Sequence, residues 1–358
     1  KAVKWSNAAG LTTMVALIYS YSPVHTDEYY AEKAKQMALA GADRIFIKDV
    51  DGLLTPERTR TLVPAILKNI HGIPLEIHGH CTTGLSPICY LEAVKLGVTI
   101  VHTAVSPLAN GPSQPSIENI LKNLSRMGFS SGIDETALKD MSEHFRYIAQ
   151  REGFPLGAPV EYDLFQYEHQ VPGGMMSNYK AELARRGLQS QLNALLGEIA
   201  QIRKELGFPI MVTPLSQYIG AQAILNRTGG ERYRIVTDEI IKYVLGHYGE
   251  LAAPVEKSVL DKILKMPRTK ELQHWEPPQK TIEALRREFG EDLSDEDFLL
   301  RVLSSNQGAL DDVLAAGPGK YDYPRGDKPI ISLIQELAGR KDGASVQVRK
   351  GEFFLELR

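Results

Sequence analysis

Cysteine is scarce: the 358-residue chain has two, Cys81 and Cys89, and no CxxC pair. That excludes a disulfide scaffold and favours a reducing, cytoplasmic setting. Long apolar runs are missing too. None approaches the roughly 18–20 residues that span a bilayer, and the longest, Met14 to Tyr19, has the length of a strand. No signal-peptide pattern opens the chain. Charge of one sign is not in excess, with 41 Lys+Arg against 44 Asp+Glu. A nucleic-acid-binding face and a polybasic patch for anionic lipid therefore have no support. No GxGxxG or Walker loop follows a strand pattern, and there is no GxSxG elbow. The remainder is ordinary globular composition, 43% hydrophobic and 24% charged, in a chain long enough to bury a core unaided. It starts with Lys1, inside a structural pattern, which reads as an unnatural N-terminus.

The first 130 or so residues repeat one unit. Met14–Tyr19 is a strand pattern, and Thr26 then caps a helix with Asp27 and Glu28 in its first turn. Arg44–Lys48 is a second strand, followed by Thr55-Pro56 opening a helix whose apolar stripe is Leu62, Ile66 and Ile70. Leu75–His80 is a third, followed by a helix from Ser86-Pro87. Thr99–Ala104 is a fourth, followed by a helix capped by Ser116. Strands alternating with helices predict a parallel sheet covered by helices. Polar residues gather at the C-terminal strand ends, where a TIM (β/α)8 barrel keeps its active site. A barrel needs eight units and four are present. The expectation is the C-terminal half of a barrel, residues 1–133, with the first half missing or supplied separately.

Beyond about residue 134 amphipathic helical patterns dominate, near 135–151, 179–206, 216–226, 237–248, 257–265, 280–289, 295–303 and 308–315. Residues 134–316 are read as a helical domain packed on the barrel, and residues 317–358 as a linker with a C-terminal β segment. The Gly-, Pro- and Tyr-rich stretch from Gly317 to Gly326 is the linker. The alternation from Ser345 to Arg358 around Lys350-Gly351 predicts a β-hairpin.

His78-Gly-His80 lies on a strand pattern, where residues i and i+2 share a face. Two imidazoles side by side suit zinc, cobalt or a similar ion; two hydrogen-bonded histidines in a polar barrel interior is the competing reading. Lys48 ends the neighbouring strand. Its ammonium would be repelled by a cation, but a pocketed lysine loses its proton readily and its amine can add CO2 to form a carbamate. A plain ion pair with Asp49 or Asp51 is the alternative. In Gln170-Val-Pro-Gly-Gly-Met-Met-Ser-Asn178, Pro-Gly-Gly marks a turn, and Ser177 is placed just before a helix starting near Tyr179. It is then an N-cap, or a hydroxyl that relays a proton. Cys81 shows no activating signal. His25, His71, His102, His144, His169, His247 and His274 are isolated.

Together these pieces resemble the carboxyltransferase component of biotin-dependent enzymes acting on 2-oxo acids: pyruvate carboxylase, the oxaloacetate decarboxylase α subunit and the transcarboxylase subunit that uses pyruvate. The matching stretches are Ile47–Pro56, Ile77–Gly84, Ser113–Ser116, Gln170–Asn178 and Val212–Gln217 with Gly220. The resemblance implies a divalent metal (zinc, manganese or cobalt) held by carbamylated Lys48 with His78 and His80, and a catalytic role for Lys48. It implies that Ser177, usually threonine in the family, meets biotin and shuttles a proton to it. It also implies that the first-strand aspartate and the family's substrate-holding residues belong to the absent half-barrel, on the order of 125 residues. No biotinyl sequence is present, so biotin is expected on a partner or an unseen domain. The expected partners are a biotin carboxyl carrier domain, biotin carboxylase, a chain or segment supplying the first half-barrel, and further copies in a homo-oligomer. The implied reaction moves a carboxyl group between carboxybiotin and pyruvate or oxaloacetate through a metal-stabilised enolate. Thr82-Thr83-Gly84 leans toward the decarboxylase and transcarboxylase branch. The alternatives are an HxH metal-dependent lyase or synthase of the acyl-CoA type, and a non-catalytic scaffold subunit.

Overall fold

The computed structural model describes residues 1–185, 187–277, 279–319, 346–350 and 353–357. Two compact units divide the chain, 1–273 and 274–358. The first opens with helix α1 (Ala2–Ala8) and then alternates: β1 (Met14–Ile18), α2 (Asp27–Leu39), β2 (Arg44–Asp49), α3 (Pro56–Leu67), β3 (Leu75–Gly79), α4 (Ser86–Lys95), β4 (Ile100–Val101) and α5 (Ile117–Arg126). The strands pair in sequence order and all in parallel, as half of a (β/α)8 barrel would.

Local chemistry sets these boundaries. Thr26, Thr55 and Ser116 each accept an N–H bond, from Tyr29, Arg58 and Asn119, at the helix starts their sequence predicts. Ser86 does not cap α4; its hydroxyl donates instead to the His80 carbonyl at the end of β3. Alternation then sorts each strand. On β2, Ile45 and Ile47 are buried, while Arg44, Phe46 and Lys48 on the other face are half-buried. Ile45, Ile47 and Ile77 pack with Leu62, Ile66, Ile70 and Tyr90 in the core between sheet and helices. Truncating one of these isoleucines or leucines to alanine costs about 2–5 kcal/mol. The fourth strand is shorter than its pattern predicts, two residues rather than six; past it Ala104 bridges to Ser116.

The rest of this unit is helical: α6 (Glu135–Glu152), α7 (Phe165–His169), α8 (Gly173–Arg185), α9 (Leu192–Glu205), α10 (Leu215–Thr228), α11 (Asp238–Val244), α12 (Lys257–Leu264) and α13 (Pro267–Leu272). The predicted helix over 179–206 is two helices, and α8 starts earlier than its pattern predicts. Gln170, in the left-handed region at φ 50°, closes α7. The Pro172 carbonyl then accepts the Met176 N–H at 2.9 Å, so the Gly-Gly pair forms the first turn of α8.

The second unit carries α14 (Ile282–Phe289), α15 (Asp295–Leu303) and α16 (Gln307–Ala316), and the antiparallel pair β5 (Val346–Lys350) and β6 (Phe353–Leu357). The two hairpin strands are where alternation predicts them. Gly351 of the turn, and the linker from Lys320 to Gly326, lie outside the described residues.

Candidate active site

Parallel pairing puts Ile18, Lys48 and His78 in one register row at the C-terminal ends of β1, β2 and β3. In-register neighbours share a face, so Lys48 and His78 stand side by side, and His80 follows two residues on. His78 Nε2 and His80 Nε2 are 3.3 Å apart. The structure thus brings together three of the four residues singled out in the sequence.

The hydrogen-bond network assigns the proton positions. The Pro112 carbonyl can only accept, and it lies 2.6 Å from His80 Nδ1. His80 therefore carries its hydrogen on Nδ1 and has a lone pair on Nε2. A second chain of bonds fixes His78. Glu76 is 1% exposed and accepts from His102 Nε2 at 2.7 Å; Arg44 pairs with its other oxygen. His102 Nδ1 lies 3.2 Å from His78 Nδ1, and the Gln114 amide nitrogen, which can only donate, lies 3.3 Å from His78 Nε2. His78 too has a lone pair on Nε2. Burial, reinforced by the neighbouring His80, His102 and Lys48, lowers the His78 pKa to about 4. Burial and Lys48 lower that of His80. Two neutral rings thus aim lone pairs at one point, and the Gln114 amide nitrogen lies 3.3 Å and 3.4 Å from those atoms.

This donor set fits a divalent ion. Two imidazole nitrogens sharing a tetrahedral ion at about 2.0–2.1 Å stand about 3.3–3.4 Å apart, the spacing found. The backbone carbonyl behind His80 is a partner that metal-binding histidines use to hold a tautomer. Among the described residues no group of three or more His, Cys, Asp or Glu side chains is placed to hold a metal.

Neither aspartate occupies Lys48. Asp49 accepts the N–H groups of Leu53 and Leu54, both at 2.8 Å, and closes the turn into α3; burial raises it to about 6. Asp51 is fully buried with neither oxygen hydrogen-bonded among the described residues, and burial holds its pKa well above the carboxylate range. Cys81 is also buried, and its thiol is pushed up to about 12, so it supplies no thiolate.

Ser177 sits elsewhere. It is in the second turn of α8, not at its N-cap, and donates to the Gly173 carbonyl at 3.1 Å. Its exposed side chain lines a cavity of about 340 Å³ whose walls include Thr82, Pro112, Gln166, His169 and Leu196. A Cβ on Gly173 would lie 2.8 Å from Pro112 Cβ, so α8 packs on the residue whose carbonyl holds His80. Gln170 ties this segment to the barrel. Its amide oxygen accepts from Ser20 Oγ at 2.8 Å and its amide nitrogen donates to the Tyr167 carbonyl at 2.9 Å. Arg203 of α9 donates to Ser20 Oγ and to the Tyr21 carbonyl, both at 3.0 Å.

Three participants escape the sequence reading. Glu76 shares the His78 face by the same two-residue spacing, a signal the sequence does carry. His102 is not isolated but holds His78. Gln114 lies in one of the family-like stretches, yet nothing in the sequence gives it a role.

Fold and site define a class, and the comparisons agree with it. Residues 2–144 match the HMGL-like family and residues 167–309 match the conserved carboxylase domain. The chain resembles the carboxyltransferase components of biotin-dependent enzymes, with both family matches present in order. Its relatives include a pyruvate carboxylase subunit of Methanocaldococcus jannaschii, 38% identical over 74% of this chain and 46% of the relative. The 2-oxoglutarate carboxylase large subunit of Hydrogenobacter thermophilus is 30% identical over 96% of this chain and 54% of its own length. The methylmalonyl-CoA carboxyltransferase 5S subunit of Propionibacterium freudenreichii subsp. shermanii is 34% identical over 72% and 50%. The chain thus spans about half the length of the curated relatives it matches. The carboxyl transferase domain of Rhizobium etli pyruvate carboxylase, solved with pyruvate and biocytin, superposes with a TM-score of 0.77 at 20% identity, over 99% of this chain and 62% of that one. That likeness identifies the fold as the TIM barrel with its helical companion. Among the described residues no helix is long and apolar enough to cross a membrane.

Proposed function

We propose that this chain is the metal-site half and helical companion of a carboxyltransferase that moves a carboxyl group between carboxybiotin and a 2-oxo acid, pyruvate or oxaloacetate. The observation that carries the reading is the pair of neutral Nε2 donors 3.3 Å apart, with Lys48 in register beside them. In this reading His78, His80 and carbamylated Lys48 hold a divalent ion (zinc, manganese or cobalt). Such an ion, when bound, supplies a Lewis acid for a 2-oxo acid and its enolate. The chain's own contribution is to fix the two histidine tautomers, through Pro112 and through Glu76–His102, so that no proton has to leave either Nε2. Ser177 Oγ both accepts and donates; it moves a proton to or from a biotin ring lodged in the cavity it lines.

The remaining partners follow from the same reading. Biotin arrives on a carrier domain that biotin carboxylase charges, a further chain or segment supplies the first four strands, and copies assemble in the cytoplasm. Residues 1–133 act as the barrel half, 134–316 as the helical part completing the site and 317–358 as linker and β segment. The match of residues 167–309 to the conserved carboxylase domain favours this reading over an acyl-CoA lyase.

The test is exchange of isotope between pyruvate and oxaloacetate by the assembled enzyme supplied with its carrier, alongside metal analysis. Exchange should need biotin, and Ser177→Ala should slow it by roughly 10²–10⁴-fold while metal content stays that of wild type. Wild-type speed in Ser177→Ala removes Ser177 from the mechanism; no biotin-dependent exchange at all removes the function.

A further inference from the structure

His169 ends α7 and is buried, with its ring edge-on to Phe165 at 5.0 Å and 81°. Its Nδ1 accepts the Val171 N–H at 3.0 Å. A backbone N–H can only donate, so the ring hydrogen is on Nε2. Nε2 makes no hydrogen bond to the described residues, and it is not among the polar atoms sealed away without a partner. It therefore faces the cavity that the ring lines, the one lined by Ser177.

The cavity's size and walls say what it can take. At about 340 Å³ it falls within the roughly 300–1,000 Å³ of small-molecule pockets. Phe165, Val171, Leu192 and Leu196 give it apolar walls, with Ser177 and His169 among the polar groups between them. Burial lowers the His169 pKa to about 4, so the ring remains neutral in one tautomer. An N–H that faces a cavity and makes no bond within the described residues is a donor open to an occupant with an oxygen acceptor.

We propose that His169 is a ligand-binding residue, its Nε2–H donating to the carbonyl oxygen of a cyclic urea whose apolar face lies against the cavity wall. The proposal rests on the carboxyltransferase reading, in which that urea is the ureido ring of biotin. The two ring nitrogens have separate duties: Nδ1 holds the turn into α8, and Nε2 holds the ligand.

Two substitutions separate these duties. Asparagine places an oxygen where Nδ1 lies and has nothing at Nε2, so His169→Asn keeps the turn and deletes the donor. Glutamine places an N–H near Nε2, so His169→Gln keeps the donor. In the assembled enzyme, with free biotin as the varied substrate of pyruvate–oxaloacetate exchange, His169→Asn should raise KM for biotin about tenfold, the loss of one ligand hydrogen bond. Its kcat should change by less than about twofold and its Tm should not fall. His169→Gln should restore KM to within about threefold of wild type. Wild-type KM in a folded His169→Asn enzyme, or equal KM for the two variants, overturns the role of His169 while leaving the carboxyltransferase reading intact. A wild-type enzyme without biotin-dependent exchange overturns that reading, and this proposal with it.

Discussion

The strand-borne and helix-borne parts of this site are held in place by different means. His78 and His80 stand on adjacent positions of one strand face. Each has its far nitrogen engaged by a group that is itself fixed, the Pro112 carbonyl or the Glu76–His102 pair. Ser177 stands on an exposed helix turn and, among the described residues, bonds to its own helix. Its place is set one step removed, by where α8 is docked. Groups that must keep a proton off a given atom are locked individually. On the proposed mechanism, the group that trades a proton is left free at the atom and positioned through the backbone that carries it.

The largest expected effect falls on the locked side. On the proposed reading, His80→Ala or His78→Ala removes a metal ligand and should leave the purified enzyme with little metal, measured by plasma mass spectrometry against wild type. The expected loss in affinity exceeds the roughly 10–100-fold typical of outer partners. Metal retained at wild-type stoichiometry in both variants would mean that the pair is merely structural. Next comes His102→Ala, which leaves both ligands but frees the His78 tautomer; metal affinity should fall about 10–100-fold in a competition titration with a chelator. An unchanged affinity would show that the Glu76–His102 relay is incidental. The smallest effect sharpens the contrast from the helical side. Gly173→Ala forces a Cβ to 2.8 Å from Pro112 and should cost about 1–3 kcal/mol in a denaturant titration, with transfer slowed more than metal binding is weakened. Equal losses in the two would mean that α8 and the histidine pair move as one piece.

Much of this contrast is legible in the sequence, for a physical reason. Strand alternation and helix caps are local signals, and they place β1 to β3, three of the caps and the row of Lys48 and His78. What escapes is long-range. Nothing near His102 announces His78, because the two meet only when β3 and β4 pair. The pattern puts Ser177 just before a helix start near Tyr179 because Gly-Gly is a poor helix former, yet the Pro172 carbonyl and left-handed Gln170 start α8 six residues earlier, at Gly173. Gln170 itself reads as part of a turn; that its amide reaches back to Ser20 depends on the docking of α7 beside β1.

Pro112 has no side-chain chemistry, yet its two sides are both spoken for. Its carbonyl keeps the hydrogen of His80 on the far nitrogen, while its ring carbon receives the backbone of Gly173. A substitution at either position is therefore judged by two clients that lie far apart along the chain. A bulkier residue at 173 presses on the loop whose carbonyl holds His80, and a displaced loop at 112 is felt in the helix that carries Ser177. For anyone redesigning the enzyme, positions 112 and 173 form one unit of variation, to be changed together or left alone.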